Sequence, residues 1–206
     1  VDGRPADVRS RVALLDRDAV AVFTGSAQPF EAREAARFAQ RRVGTPPRES
    51  TIYTEIFRAR PDVNAAVHSH APMCVALSLA DKPVSCVHMQ SNRFGRGVPI
   101  YPEPIYILDD QEGAELARTL DQANAVMIKG HGIVTVGKTI DEACMNALYM
   151  ERTAKLMAMA QLFGFSGVSD DFIETLTVSK KKLLSRRRGK ITHSADWNYY
   201  AEKVRK

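Results

Sequence analysis

The sequence has few of the features that mark disulfide-rich or membrane proteins. Its three cysteines, Cys74, Cys86 and Cys144, are widely spaced and form no Cys-x-x-Cys pair, which argues against a disulfide framework and favours a reducing compartment. No apolar run approaches the ~18 residues of a membrane span, and no charged-then-apolar signal segment opens the chain. We therefore expect a cytoplasmic protein that does not enter a membrane.

Positive charge is concentrated at the C-terminal end. The 206 residues carry a net charge of +5, but residues 180–206 hold ten Lys and Arg against two acids, so this segment carries +8 and the remainder −3. No aromatic platform or recognition motif accompanies the basic runs, so we expect no nucleic-acid partner. The basic segment is interpreted as a solvated helix face or as a surface that meets acidic groups on a neighbouring subunit. We expect a single domain over residues 1–206, with residues 165–206 as a basic helical extension.

Hydrophobic periodicity and turn residues predict strands and helices in mixed order. A Gly- and Pro-rich loop is predicted at residues 91–104, and Thr139 with Glu142 is predicted to form a capping box. Because strict βαβα alternation is missing, we expect an α/β three-layer sandwich, with a central, mostly antiparallel sheet flanked by helices. The predicted strands are 12–15, 19–23, 63–67, 84–88, 125–129 and 133–136, and the predicted helices are 30–42, 49–60, 72–80, 111–122, 140–163, 170–188 and a short one at Trp197.

Three histidines suggest a metal site. His68 and His70 end an apolar run, and strand side chains repeat every two residues, so both imidazoles leave the same face. His131 has glycine on both sides, which lets the backbone approach closely. Three imidazoles with an open fourth position are typical of catalytic metal sites. Glu49, at the start of a helix, is either an acid/base beside that position or a first-turn acid that complements the helix dipole.

The motif Arg-Pro-Asp-Val-Asn-Ala-Ala-Val-His-Ser-His, which ends at His70, resembles the class II aldolase/adducin family when combined with the later Gly-His-Gly. The resemblance covers about residues 46–164. It implies a homotetramer with active sites at subunit interfaces and a divalent metal, with zinc expected first and manganese, cobalt or iron as alternatives. It also implies that His68, His70 and His131 bind the metal, that Glu49 is the catalytic acid/base, and that the reaction passes through a metal-stabilised enolate.

Departures from the family pattern bear on the substrate. Sugar-phosphate aldolases of the family place two serines before the catalytic Glu and a tyrosine proton donor in a His-Tyr pair. Here a proline and Arg48 occupy the serine positions, and the pair is His88-Met89, whose thioether cannot donate a proton. Arg48, Arg93 and Arg96 suit a carboxylate through bidentate pairing, and His88 is a further substrate-binding candidate.

These features predict a lyase, a metal-dependent decarboxylase. Its small-molecule carboxylate substrate is expected to be a hydroxylated aromatic acid or a related ring-cleavage product. An aldolase, epimerase or dehydratase acting on a hydroxy-carbonyl or sugar-phosphate compound is the main alternative. A non-catalytic, adducin-like binding module is a second alternative, and an iron-dependent oxygenase is a third.

Overall fold

The structure is a computed structural model that describes the backbone of residues 19–24, residues 48–186 and Trp197. The strand predicted at residues 12–15 and the helix predicted at residues 30–42 lie outside the described residues. Trp197 is helical and packs, half-buried, against one of the two hydrophobic cores.

Within the described residues the chain forms one central sheet. Its strands are β1 (Ala19–Thr24), β2 (Ala65–Ser69), β3 (Ile100–Tyr101), β4 (Ala125–Ile128) and β5 (Gly132–Gly137). Their spatial order is β1-β2-β5-β4-β3, with every neighbouring pair antiparallel except β3 and β4, which are parallel. This confirms the mostly antiparallel sheet.

Helices cover both faces of the sheet, so the three-layer sandwich is confirmed. They are α1 (Ser50–Ala59), α2 (Pro72–Leu79), α3 (Asp110–Leu120), α4 (Ile140–Gln161) and α5 (Asp170–Arg186), with a 3-10 helix at Met89–Phe94. Alternate residues of a strand point to opposite faces. In β4, Ala125 and Met127 pack towards α2 and α4, whereas Val126 and Ile128 pack towards α1 and α3.

The start of α4 carries only half of the predicted capping box. Thr139 Oγ1 accepts a hydrogen bond from the backbone N–H of Glu142 at 3.3 Å, as expected. The Glu142 carboxylate, however, accepts from the N–H of Lys138 at 2.8 Å. The helix therefore begins at the predicted residue, but the Glu142 carboxylate bonds to the N–H of the residue before Thr139 and not to that of Thr139 itself.

The strand predicted at residues 84–88 is wrong. This segment is irregular and pairs with the following loop: the N–H of Val98 donates to Val84 O at 2.8 Å, and the N–H of Cys86 donates to Gly95 O at 2.9 Å. His88 then caps the 3-10 helix. Apolar alternation was present, but the hydrogen-bond partners belong to a local loop and not to a neighbouring strand.

The loop predicted at residues 91–104 also contains regular structure that the sequence did not indicate. It includes the C-terminal part of the 3-10 helix and the two-residue edge strand β3, which runs parallel to β4. Among the described residues, no helix combines the length and apolar character required to cross a bilayer.

Candidate metal centre

The end of β2 and the start of β5 bring the three histidines together. These strands are adjacent and antiparallel, with His68 opposite Val134. His68 points to the α1 and α3 face of the sheet, His70 follows the end of β2, and His131 immediately precedes β5. The ring centroids lie 5.1 Å apart for His68 and His70, 5.0 Å for His68 and His131, and 5.2 Å for His70 and His131.

Backbone carbonyls fix the orientation of two of these rings. His68 Nδ1 lies 2.9 Å from Ile133 O, and His131 Nδ1 lies 2.9 Å from Ile105 O. A carbonyl can only accept a hydrogen bond, so Nδ1 carries the proton and donates in both rings. In the neutral imidazoles, Nε2 then carries the lone pair, as metal-binding histidines require.

The Glu49 carboxylate lies against the same two rings. Glu49 Oε2 is 3.5 Å from both His68 Nε2 and His131 Nε2, and Oε1 accepts a hydrogen bond from the N–H of Ile107 at 3.0 Å. Glu49 occupies the position that precedes α1, yet among the described contacts its side chain makes no capping hydrogen bond. The carboxylate therefore faces the histidines, not the first turn of its own helix.

Electrostatics favour an ionised Glu49. Burial opposes ionisation, but His131 and His68, when protonated at Nε2, together with the Ile107 N–H outweigh it and hold the pKa of the carboxyl well below its usual range. Conversely, the contact with Glu49 raises the pKa of His131 against the opposing effect of burial.

The donor atoms fit a divalent cation. His68 Nε2 and His131 Nε2 are buried and have no hydrogen-bond partner within the described part of the chain. Each neutral Nε2 faces a carboxylate oxygen, so two acceptors oppose each other across 3.5 Å, an arrangement that requires a proton or a cation between them. One ligand atom each from Glu49, His68, His70 and His131 lies within 4.8 Å of the others. Imidazole nitrogen and carboxylate oxygen are common ligands of zinc, so these four residues could hold a metal ion.

Gly132 allows the histidines to approach. A Cβ atom on Gly132 would lie 2.6 Å from Ser69 O, 3.1 Å from His68 Cε1 and 3.1 Å from His70 Cδ2. Any side chain at this position would therefore push β2 and two histidine rings away from β5. The neighbouring Gly130 has φ +67°, a left-handed conformation that glycine adopts at low cost.

Two tyrosines near the cluster were not predicted from the sequence. Tyr53 follows Glu49 by one helical turn and is buried; burial and the charge of Glu49 raise the pKa of its phenol. The i, i+4 spacing on α1 was a usable signal. Tyr106 is 67% exposed, and its ring makes an edge contact with His131 at 5.3 Å between centroids. The position of Tyr106 beside His131 follows only from the folded path of the loop before α3.

The predicted substrate-binding residues occupy two regions. Arg48 is exposed and adjoins Glu49 in sequence. The other three contact the α4 and α5 side of the molecule: His88 Nε2 lies 3.1 Å from Thr153 Oγ1 of α4, and Arg96 pairs with α5. Arg93 donates a 2.6 Å hydrogen bond to α4 and lies over an aromatic ring of that helix.

A surface groove lies beside His88. Its volume is about 380 Å³, and burial together with the charge of Arg152 lowers the pKa of His88. The groove shares no lining residue with the histidine cluster, so it is a separate surface feature of the described chain. Its lining consists of His88, Gln90, Arg152, Lys155, Leu156 and Met159.

Comparison with known families identifies the chain. Residues 14–158 match the model of the class II aldolase and adducin N-terminal domain, which is more than half of the sequence. The chain belongs to this family. Its fold agrees with that of an aldolase II superfamily protein from Pseudomonas syringae, which is 20% identical, with a TM-score of 0.62 over 79% of this chain and 64% of that one.

Relatives of two activities are similar to this class II aldolase-family chain. A 3,4-dihydroxyphthalate decarboxylase of Arthrobacter keyseri is 32% identical over 115 residues, 53% of this chain and 46% of the relative. An L-fuculose phosphate aldolase of Methanococcus vannielii is 32% identical over 123 residues, 58% of this chain and 65% of the relative. The chain thus spans about half the length of the decarboxylase. Its family includes lyases of both the decarboxylase and the aldolase type.

Proposed function

We propose that this protein is a metal-dependent decarboxylase of a hydroxylated aromatic acid, with His68, His70 and His131 as metal ligands and Glu49 as the acid/base. The carboxylate of Glu49, placed 3.5 Å from two buried imidazole nitrogens, carries the proposal. The similarity to 3,4-dihydroxyphthalate decarboxylases supports it. Met89 supports it as well. Aldolases of the family have a tyrosine proton donor at this position, and the thioether of Met89 cannot donate a proton.

The residues of the chain would divide the chemistry as follows. A divalent cation, when bound, supplies Lewis-acid stabilisation of negative charge on substrate oxygen. The ionised Glu49 accepts the proton of a hydroxyl ortho to the substrate carboxylate. The phenolate donates electron density into the ring, and Glu49 returns its proton to the ring carbon that bears the carboxylate, so that the deprotonated oxygen becomes a carbonyl. The bond between that carbon and the carboxylate then breaks, CO2 leaves, and the bonding pair restores the aromatic ring with the negative charge on the oxygen. The product oxygen is protonated from solvent, and Glu49 is again ionised.

The substrate carboxylate would meet Arg48, which adjoins Glu49 and is exposed. A planar guanidinium suits bidentate pairing with a carboxylate. His88, Arg93 and Arg96 remain proposed substrate contacts. Because their contacts lie on the α4 and α5 side, they would serve a substrate bound between subunits.

Zinc as the metal, a cytoplasmic location and a homotetramer with interfacial active sites belong to the same proposal. Exposed apolar side chains at the C-terminal end of α4 and just beyond support association with further copies: Leu156, Met159, Leu162 and Phe163 are 43% to 87% exposed. Elemental analysis of the purified protein tests the metal, and light scattering tests the subunit number.

The activity is tested by measuring CO2 release from ortho-hydroxylated benzoates and phthalates, with and without a chelator. We expect chelator-sensitive release, lowered about 10²- to 10⁴-fold by Glu49→Gln, because an acid/base typically contributes that much. Glu115→Gln, which changes a half-buried carboxylate on α3 outside the histidine cluster, is the matched control and should leave the rate unchanged. Cleavage of a sugar phosphate, with no CO2 from any acid of the panel, would refute the decarboxylase.

An aldolase is the second candidate, because one L-fuculose phosphate aldolase is 32% identical to this chain, the same identity as that of one 3,4-dihydroxyphthalate decarboxylase. The same metal centre can stabilise the enolate-type charge of aldol cleavage. Detection of an aldehyde product from a sugar phosphate, abolished by His131→Ala, would favour this function. The proposed decarboxylase predicts no aldehyde from that substrate.

A further inference from the structure

The segment Ile105 to Ile107 contacts the metal centre at three successive residues. Ile105 O accepts a hydrogen bond from His131 Nδ1 at 2.9 Å, and the N–H of Ile107 donates to Glu49 Oε1 at 3.0 Å. Between them, the ring of Tyr106 stands edge-on to His131, with 5.3 Å between centroids and an interplanar angle of 67°. The backbone of Tyr106 is thus fixed on both sides by groups of the cluster.

The side chains of this segment alternate between core and solvent. Ile107 is fully buried and Ile105 packs against the same core between the sheet and α1 and α3, whereas Tyr106 is 67% exposed. This contrasts with Tyr53 and Tyr101, which are 2% and 3% exposed. A large aromatic ring is therefore held at the edge of the cluster with most of its surface open.

We propose that Tyr106 is a substrate-contacting residue that selects aromatic acids, its ring forming one wall of the substrate site. This inference rests on the proposed function and names the residue that recognises the substrate ring. A ligand whose carboxylate and hydroxyl are held at the cluster can pack its own ring against Tyr106, because that ring both contacts His131 and remains open. An aliphatic hydroxy acid with the same polar groups has no ring to place there.

The size of the effect follows from aromatic pairing. Such pairs contribute about 0.5–1.5 kcal/mol beyond the area they bury, which corresponds to about a 2- to 10-fold change in the dissociation constant. The contribution comes from the ring and not from the hydroxyl. Tyr106→Phe should therefore bind aromatic acids as tightly as wild type, whereas Tyr106→Ala should bind them more weakly.

The test is calorimetric titration of the zinc-loaded full chain with 2-hydroxybenzoate and with lactate, which share the 2-hydroxy acid group and differ in the ring. We expect Tyr106→Ala to weaken 2-hydroxybenzoate about 2- to 10-fold and lactate less than about twofold. Leu108→Ala is the matched control, since Leu108 lies in the same loop and is 56% exposed. It should change neither constant, and zinc content, measured for every variant, should stay equal.

Several outcomes would overturn the proposal. The first is that Tyr106→Ala weakens the binding of both ligands equally or of neither. The second is that Leu108→Ala has the same effect as Tyr106→Ala, or that Tyr106→Ala changes the subunit number. The third is that wild type binds 2-hydroxybenzoate no more tightly than lactate. CO2 release by the same preparations separates the two proposals. If Tyr106→Ala loses discrimination but wild type releases no CO2, only the decarboxylase fails. If wild type releases CO2 and the variant keeps its discrimination, only the role of Tyr106 fails.

Discussion

Replacing Gly132 by alanine should damage the metal centre more than the fold. The added Cβ would lie 2.6 Å from Ser69 O and 3.1 Å from carbon atoms of His68 and His70. Ordinary contact begins near 3.4 Å, so β5 and β2 must separate by roughly 0.8 Å. Metal–ligand distances tolerate only about 0.2 Å. The movement required at Ser69, which lies between two of the proposed ligands, therefore exceeds that tolerance about fourfold, and the roughly 0.3 Å required at the His68 and His70 rings themselves also exceeds it.

Two magnitudes follow from this displacement. Overpacking of this kind costs about 1–3 kcal/mol of unfolding free energy. Misplaced ligands should lower zinc affinity at least about 10- to 100-fold, the range seen when the supporting contacts of a ligand are lost. Competition with a chromophoric chelator measures the affinity, and urea unfolding in the presence of a strong chelator measures the stability of the metal-free protein.

Gly137→Ala is the matched control at the other end of β5. Its Cβ would meet the backbone N of Ala143 at 2.8 Å and Glu142 Cβ at 2.9 Å, so the steric cost is similar but falls on the start of α4. We expect a comparable loss of stability with zinc affinity kept within about threefold of wild type. If Gly132→Ala binds zinc as tightly as wild type, or loses no more affinity than Gly137→Ala, the reasoning is refuted.

Three further predictions concern the metal and two arginines. Zinc at 100 times its Kd should raise the unfolding free energy by about 2.7 kcal/mol in urea titrations, and His68→Ala should abolish that gain. Arg60→Ala should cost about 2–4 kcal/mol, because the buried guanidinium donates two 2.8 Å hydrogen bonds to Asp62 and others to backbone carbonyls after α3. The hydrogen bonds from Arg60 lower the pKa of Asp62, so this penalty is full above pH ~3.9 and shrinks as the pH falls further. Arg93→Ala should cost about 1–3 kcal/mol in urea, because Arg93 ties the 3-10 helix to α4.

Each of these variants has a control on a more exposed group. His88→Ala should retain the zinc-dependent gain, since His88 bonds to α4. Arg118→Ala and Arg96→Ala remove side chains that are 70% and 78% exposed and pair with partly exposed carboxylates, so each should stay within about 0.5 kcal/mol of wild type. If Arg60→Ala or Arg93→Ala is as stable as wild type, the argument for that arginine is contradicted. If zinc still raises the unfolding free energy of His68→Ala, the argument for the metal is contradicted.

Local periodicity explains why part of the fold and of the candidate site could be predicted. The two-residue repeat places His68 and His70 on one side of β2, and helical spacing on α1 gives the buried pair Ile52 and Ile56. The position of His131 beside them depends on a long-range contact, the antiparallel pairing of β2 with β5. The flanking glycines indicated a close approach there, but the sequence did not identify which strand would approach.

Contacts made by loops could not be predicted, because they depend on where the backbone runs and not on residue type. The backbone groups of Ile105 and Ile107 that hold His131 and Glu49 are chemically the same as those of any other residue. The strand predicted at residues 84–88 was wrong for the same reason: the segment has the apolar content of a strand, yet its hydrogen bonds go to a loop.

Hydrogen bonds within the protein orient three residues of the candidate metal centre. The Nδ1 atoms of His68 and His131 are held by carbonyls of β5 and of the loop before α3, and Glu49 is held by the Ile107 N–H. None of these contacts requires the cation. A cation would therefore meet ligands that have already lost their conformational freedom, and it would relieve the opposition between the imidazole lone pairs and the carboxylate. Metal binding should accordingly stabilise a chain that is already folded, unlike small zinc domains, in which metal binding itself drives folding.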